Sequence, residues 1–201
     1  MRKVQVFLFY FILAIISVAF YFFLSVALNG ESINVLTVNQ KFTVTHLVVG
    51  LATSIIVSIS EEVIFRGILI NYLLKWVNEQ SALVCQSILF ALIHLLSTWT
   101  LGNINVMILM IYFVNMLAGG LLLGLIYCRE GMLLASISFH LAWNFTAYNL
   151  LGLSNQPSII KIVARRNVFY GIFEKDLLTL SVFITLFAFL RTKNLKCILV
   201  T

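Results

Sequence analysis

The amino-acid sequence predicts an all-α protein, a polytopic transmembrane bundle of about six helices around a polar intramembrane cavity. Hydrophobic residues make up 62% of the 201 residues, charged residues only 10%, and the chain contains a single proline. This composition is typical of a protein whose solvent is the bilayer. Three groups of polar residues nevertheless interrupt the apolar sequence. Ionisable groups persist at membrane depth only where they face a protein interior or a wet cavity, so these groups predict the site.

The apolar runs suit helices that cross a bilayer, each of which needs about 20 residues. In chain order they are residues 4–28, 42–76, 81–100, 106–128, 132–151 and 177–190. We expect the first run to be a retained helix, because it exceeds the roughly 7 to 15 apolar residues of a signal-peptide core. Gly120 and Gly124 form a GxxxG step that predicts close helix packing in the fourth run. Residues 1–201 are predicted to form a single integral membrane domain.

Basic residues predict the orientation, because the cytoplasmic ends of membrane helices carry an excess of Lys and Arg. If six spans alternate, most basic residues share the side of the N-terminus: Arg2, Lys3, Arg66, Lys75, Arg129, Arg191, Lys193 and Lys196. We therefore expect a cytoplasmic N-terminus. Contacts of basic residues with anionic headgroups explain the net charge of +6, so membrane lipid is an expected partner and nucleic acid is not.

The first polar group contains two carboxylates and a guanidinium. Glu62 and Arg66 lie four residues apart, which places opposite charges on one helix face and predicts an ion pair. Glu61 is turned about 100° away around the axis, and no basic residue lies three or four positions from it. A buried structural salt bridge explains the pair but leaves Glu61 unexplained. Glu61 is therefore the carboxylate expected to do chemistry.

The other two groups follow on later runs. His94 lies four residues after Phe90, and Asn144 lies four residues after His140, so each pair shares a helix face. A lone intramembrane histidine is often an interhelical hydrogen-bond partner, but three such groups on separate runs are expected to converge on one cavity. For straight helices that turn near residues 77–80, Glu61 and His94 lie about 20 Å along neighbouring antiparallel helices. This places them at a similar depth.

These side chains suit hydrolysis of a peptide bond. Glu61 can act as the base that activates a water, with His94 as its partner and proton donor. His140 and Asn144 could donate hydrogen bonds to the oxyanion of a tetrahedral intermediate. Two histidines and a glutamate could equally hold a catalytic zinc with an open fourth position, although no HExxH helix is present. A non-enzymatic proton relay is a third interpretation. A transporter is not favoured, because the sequence shows no repeated half.

Three ordered motifs resemble those of a known family. Residues 60–67 (SEEVIFRG), 87–94 (SILFALIH) and 136–144 (SISFHLAWN) resemble the EExxxR, FxxxH and HxxxN motifs of the CPBP family. This family, also called Abi, groups CAAX proteases with bacteriocin-processing enzymes. Residues 124–131 are similar to its usual lead-in to the third motif. The resemblance covers residues 54–149, and three ordered motifs on three predicted spans make it specific.

The resemblance implies an all-helical intramembrane endopeptidase whose cavity opens toward the cytoplasm. Carried over by position, Glu61 would activate the water with His94, and Glu62 with Arg66 would order the site. The family's better-supported mechanism is a metal-independent glutamate mechanism. We therefore expect no metal and no cofactor, with zinc as the alternative.

The resemblance also assigns the oxyanion hole and the substrate class. His140 with Asn144 would form the oxyanion hole. Substrates would be CAAX tails, peptide precursors or membrane-anchored proteins. The small size of the chain resembles the bacterial members, which predicts a multi-pass protein of a bacterial cell membrane. A bacteriocin-immunity protein without proteolytic activity is the alternative from another functional class.

Overall fold

The structure, a computed structural model, describes residues 2–29, 33–38, 42–99, 106–151 and 158–164. The helical elements are α1 (Arg2–Asn29), α2 (Val44–Glu62), a first π-helix (Val63–Leu69), α3 (Ile70–Leu73), α4 (Glu79–Trp99), α5 (Val106–Glu130), α6 (Leu133–Asn144) and a second π-helix (Phe145–Leu150). Two short strands, β1 (Ile33–Val38) and β2 (Ile160–Ala164), pair antiparallel.

The predicted class of a helical, membrane-spanning protein is confirmed. Among the described residues, the segments long and apolar enough to cross a membrane are Arg2–Phe22, Val44–Leu73, Glu79–Leu96 and Leu109–Glu130. The count of six is not confirmed. The fifth predicted run forms α6 and the second π-helix, which is not one of these four segments, and the sixth, residues 177–190, lies outside the described residues.

The strand pair was not predicted. It joins two segments outside the apolar runs, with Val35 opposite Val163 and Val38 opposite Ile160. Both strands are rich in β-branched residues, which favour extended backbone where no helical periodicity competes.

The chain divides into two compact units. The first contains Met1–Glu61 and Ile137–Asn167, and the second contains Glu62–Ser136 and Val168–Thr201. The assignment of residues 1–201 to a single domain stays a prediction.

In the first unit, α1 has one buried face and one exposed apolar face. Tyr10, Ala14 and Val18 recur every four residues and are buried, and α1 contacts the second π-helix. Large apolar side chains such as Ile12 and Ile16 are exposed on the other side. This arrangement is expected of a membrane helix, because lipid solvates the outer face.

In the second unit, α4 packs closely on α5 at the GxxxG step. A Cβ placed on Gly120 would lie 3.1 Å from the Cα of Ser87, and one on Gly124 would lie 2.8 Å from a methyl carbon of Leu83. The predicted role of Gly120 and Gly124 in close helix packing is therefore confirmed.

Both π-helices begin directly after a motif residue. The first follows Glu62, and at its end the Ile70 N–H donates to the oxygen of Phe65. The second follows Asn144, and the Leu151 N–H donates to the oxygen of Thr146 at 3.0 Å. The expectation of straight α-helices is wrong at these two places, because each segment bonds residues five apart. Such segments are frequent at functional sites.

Candidate active site

In the first unit, the fold brings Glu61 to His140. Glu61 lies in the last turn of α2 and His140 lies in α6, with Glu61 Oε2 3.8 Å from His140 Nε2. The Glu61 side chain as a whole is 23% exposed, but its Oε2 atom is buried. The distance is too long for a hydrogen bond, but a protonated imidazole would attract the carboxylate strongly in such a poorly solvated place. Two of the three motifs therefore meet here.

Asn144 lies one helical turn beyond His140 and lines a cavity of about 480 Å³. One wall of the cavity is a face of α2 that runs from Thr45 to Val57, one turn before Glu61. The other wall contains Asn144, Tyr148 and Asn149. A carboxamide donor thus lies at a cavity large enough for a segment of peptide chain.

The cavity contains residues that the sequence analysis missed. His46 lines it, and the Thr43 N–H donates to Nδ1 of His46 at 3.2 Å. The neutral ring therefore carries its proton on Nε2. Asn149 also lines it and is 8% exposed. No α-helical spacing links either residue to a motif. Asn149 lies five residues after Asn144, a spacing that brings side chains to a similar face in a π-helix but not in the α-helix that the sequence analysis assumed.

In the second unit, Glu62 and Arg66 form the predicted ion pair. Arg66 Nη1 donates to Glu62 Oε1 at 2.9 Å, and both side chains are fully buried. Arg66 Nη2 donates to the oxygen of Gly120 at 3.0 Å, and the guanidinium carbon lies 4.9 Å from the centre of the Phe90 ring. A buried pair needs such further contacts, because desolvation of two charges costs several kcal/mol per ion.

Phe90 also determines how His94 is held. Nδ1 of His94 lies 2.9 Å from the main-chain oxygen of Phe90, and the centroids of the two rings lie 4.2 Å apart. A carbonyl oxygen can only accept, so Nδ1 carries the hydrogen and a neutral ring keeps its lone pair on Nε2. In the neutral ring Nε2 can therefore accept a hydrogen bond, and the role of His94 as proton donor stays a prediction. Glu61 and His94 belong to different units, so their pairing stays a prediction.

Within the described ranges, no group of three or more His, Cys, Asp or Glu side chains is close enough together to hold a metal ion. The assignment of zinc or of no metal therefore stays at the level of a prediction.

Comparison with protein families gives a match that includes all three motifs. Residues 43–146, more than half of the 201 residues, match the Rce1-like type II CAAX prenyl endopeptidases. The chain belongs to this Rce1-like family. Comparison with curated proteins and with solved structures gives no significant match.

Membership in the Rce1-like family confirms the resemblance to CAAX proteases. The matched segment contains all of the predicted site residues: Glu61, Glu62, Arg66, His94, His140 and Asn144. Together with the four apolar helices, it identifies a multi-pass integral membrane protein. Rce1-like membership points to an intramembrane CAAX protease.

Proposed function

We propose that this protein is an intramembrane endopeptidase that hydrolyses peptide bonds with a water activated by Glu61. Its substrates are prenylated CAAX tails, peptide precursors or other membrane-anchored peptides. The observation that carries the proposal is the approach of Glu61 Oε2 to His140 Nε2, 3.8 Å, with Asn144 one turn further on at the wall of the cavity. The Rce1-like match supports the same reaction class.

The proposed chemistry is general base catalysis. The Glu61 carboxylate takes a proton from a water, and the water oxygen attacks the scissile carbonyl carbon. The carbonyl oxygen becomes an oxyanion, to which His140 and the carboxamide of Asn144 donate hydrogen bonds. When the C–N bond breaks, protonated Glu61 returns the proton to the leaving amine. In this proposal Nε2 of His94 accepts a hydrogen bond from the attacking water and orients it.

Glu62 and Arg66 have a different task in this proposal. Both side chains are fully buried, and the Arg66 guanidinium donates both to Glu62 and to the main-chain oxygen of Gly120. The guanidinium also lies over the ring of Phe90, and the main-chain oxygen of Phe90 accepts a hydrogen bond from His94. They are positioning residues that hold the helices at the site. We also propose a bacterial cell membrane location with a cytoplasmic N-terminus.

The experiment is cleavage of prenylated CAAX-ended and membrane-anchored peptides by the purified protein in detergent. Wild type is compared with Glu61→Gln, which keeps the shape but removes the base. Glu79→Gln, in the first turn of α4, is the matched control. Each enzyme is assayed with and without a chelator.

We expect wild type and Glu79→Gln to cleave equally, Glu61→Gln to be inactive but folded, and the chelator to have no effect. Activity that is lost with the chelator and regained with zinc would instead support the zinc mechanism. Equal cleavage by Glu61→Gln and wild type would overturn the role of Glu61. A folded wild type that cleaves none of these peptides would favour a non-proteolytic membrane function, such as bacteriocin immunity or a proton relay.

A further inference from the structure

We propose that Asn149 is a substrate-binding residue whose carboxamide donates a hydrogen bond to a main-chain carbonyl of the substrate, two residues from the scissile bond. The inference rests on the proposed endopeptidase function. It adds to that function the way in which the peptide chain is held: extended along the cavity, parallel to the second π-helix.

The second π-helix is what places Asn149 on the cavity wall. Asn149 lies five positions after Asn144, and five α-helical steps of about 100° would turn their side chains about 140° apart. A π-helix bonds residues five apart, so such residues come to nearly the same face. The bond from the Leu151 N–H to the oxygen of Thr146 shows this spacing, and Asn144 and Asn149 both line the cavity.

Packing around Asn149 keeps the side chain on this wall. A Cβ at Gly50 would collide with Oδ1 of Asn149, so the carboxamide occupies the space that this glycine leaves on α2. The main-chain oxygen of Asn149 accepts a hydrogen bond from the Ile159 N–H at 3.0 Å. The bond from Ile159 holds the main chain of Asn149, and the close packing on Gly50 limits the positions of its carboxamide, which lowers the entropic cost of binding.

The carboxamide retains a donor for a ligand. Nδ2 carries two hydrogens, and its bond within the described part of the chain goes to Ser54 Oγ at 3.5 Å, the outer limit for a hydrogen bond. A peptide carbonyl at about 2.9 Å would be a better acceptor than this hydroxyl. The weak bond to Ser54 alone does not explain a carboxamide at this wall.

The spacing of the two carboxamides matches an extended peptide. Side chains and carbonyls of an extended chain repeat on one side every two residues, about 6.6 to 6.8 Å. Five residues of helix rise at most about 7.5 Å at the α-helical value, and less in the wider π-turn. With Asn144 at the oxyanion, Asn149 therefore reaches the carbonyl two residues along the substrate.

The test is a comparison of peptide and ester substrates. Replacement of one main-chain N–H by oxygen weakens the preceding carbonyl as an acceptor without changing side chains. Two such substrates weaken the carbonyl two residues before or two residues after the scissile bond. For each, kcat/KM is measured with wild type, Asn149→Ala and Ser54→Ala, and thermal unfolding is recorded for each enzyme.

We expect one of the two esters to reduce kcat/KM of wild type by about 3- to 10-fold, the value of one ordinary hydrogen bond. In Asn149→Ala the same ester should reduce kcat/KM by less than about twofold. In Ser54→Ala the ester should reduce kcat/KM by as much as it does in wild type. If Asn149 only tied the π-helix to α2, Ser54→Ala would behave as Asn149→Ala does.

Two results would overturn the inference and are distinguishable. An ester effect of equal size in wild type and Asn149→Ala, at both positions, would remove Asn149 from substrate binding and leave the endopeptidase intact. A folded wild type that does not cleave the parent peptide would overturn the endopeptidase function itself, and the inference with it.

Discussion

The guanidinium of Arg66 donates a hydrogen bond from Nη2 to the main-chain oxygen of Gly120, 54 residues away, at 3.0 Å. The same oxygen accepts from Nε2 of the buried Gln86 at 2.9 Å. One main-chain oxygen of α5 thus accepts hydrogen bonds from an arginine of the first motif and from a glutamine of α4. The absence of a side chain at Gly120 allows α4 to approach this point. The close packing of α4 on α5 at Gly120 and the hydrogen bond of the buried Arg66 guanidinium therefore depend on each other.

Arg66→Ala should destabilise the protein by about 3 to 5 kcal/mol, because it leaves the carboxylate of Glu62 buried without its ion-pair partner. The measurement is thermal or denaturant unfolding in detergent. Lys75→Ala, at an exposed basic residue, is the control and should change little. An unfolding midpoint equal to that of wild type would show that water solvates Glu62.

The double variant Glu62→Gln with Arg66→Met should recover much of this loss, because it removes both charges and keeps the volume. Its cleavage activity should stay below that of wild type, since Met makes no bond to Gly120. Stability as poor as that of Arg66→Ala would contradict the explanation by an unpaired buried charge.

Gly120→Ala should destabilise the protein by about 1 to 3 kcal/mol, because the new methyl group would lie 3.1 Å from the Cα of Ser87. Gly119→Ala is a matched control on the same helix. A Cβ there meets nothing within 4 Å among the described residues, so it should be neutral or slightly stabilising through helix propensity. Unfolding of both variants in detergent checks the difference, and equal effects would refute the close contact.

His94→Asn should fold like wild type and be inactive. The Asn carboxamide nitrogen can replace Nδ1 as the donor to Phe90, but the variant has no group at the position of Nε2. Peptide cleavage and unfolding are measured together. His94→Ala should be inactive and also slightly less stable, since it loses the ring contact with Phe90. Activity in His94→Asn close to that of wild type would exclude a role for Nε2.

Asn144→Ala should lower kcat by about 10² to 10³, the usual effect of removing one oxyanion donor. Asn78→Ser, at an exposed turn where the side chain accepts from the Ser81 N–H, is the control that should keep normal kcat. Steady-state kinetics on one cleaved peptide separates kcat from KM. A variant that changes KM alone would assign Asn144 to binding rather than to the transition state.

Features that depend on neighbours along one helix were predicted correctly from the sequence. The ion pair of Glu62 with Arg66 and the close packing at Gly120 follow from a spacing of four residues, which places two side chains on one helix face; for the ion pair this holds although Arg66 lies in the first π-helix. Membrane-spanning helices follow from apolar length, since in lipid a helix satisfies its own backbone. These features need no knowledge of the tertiary structure.

The tertiary structure decided the features that join distant segments. The approach of Glu61 to His140, the seat of Asn149 over Gly50 and the strand pair each join residues far apart in the chain. The spacing of apolar residues did not predict the π-helices, because a turn with hydrogen bonds between residues five apart is rare and local propensity does not favour it. The sequence by itself therefore determined the fold class, the motifs and the family, and the tertiary structure decided which polar groups face one cavity.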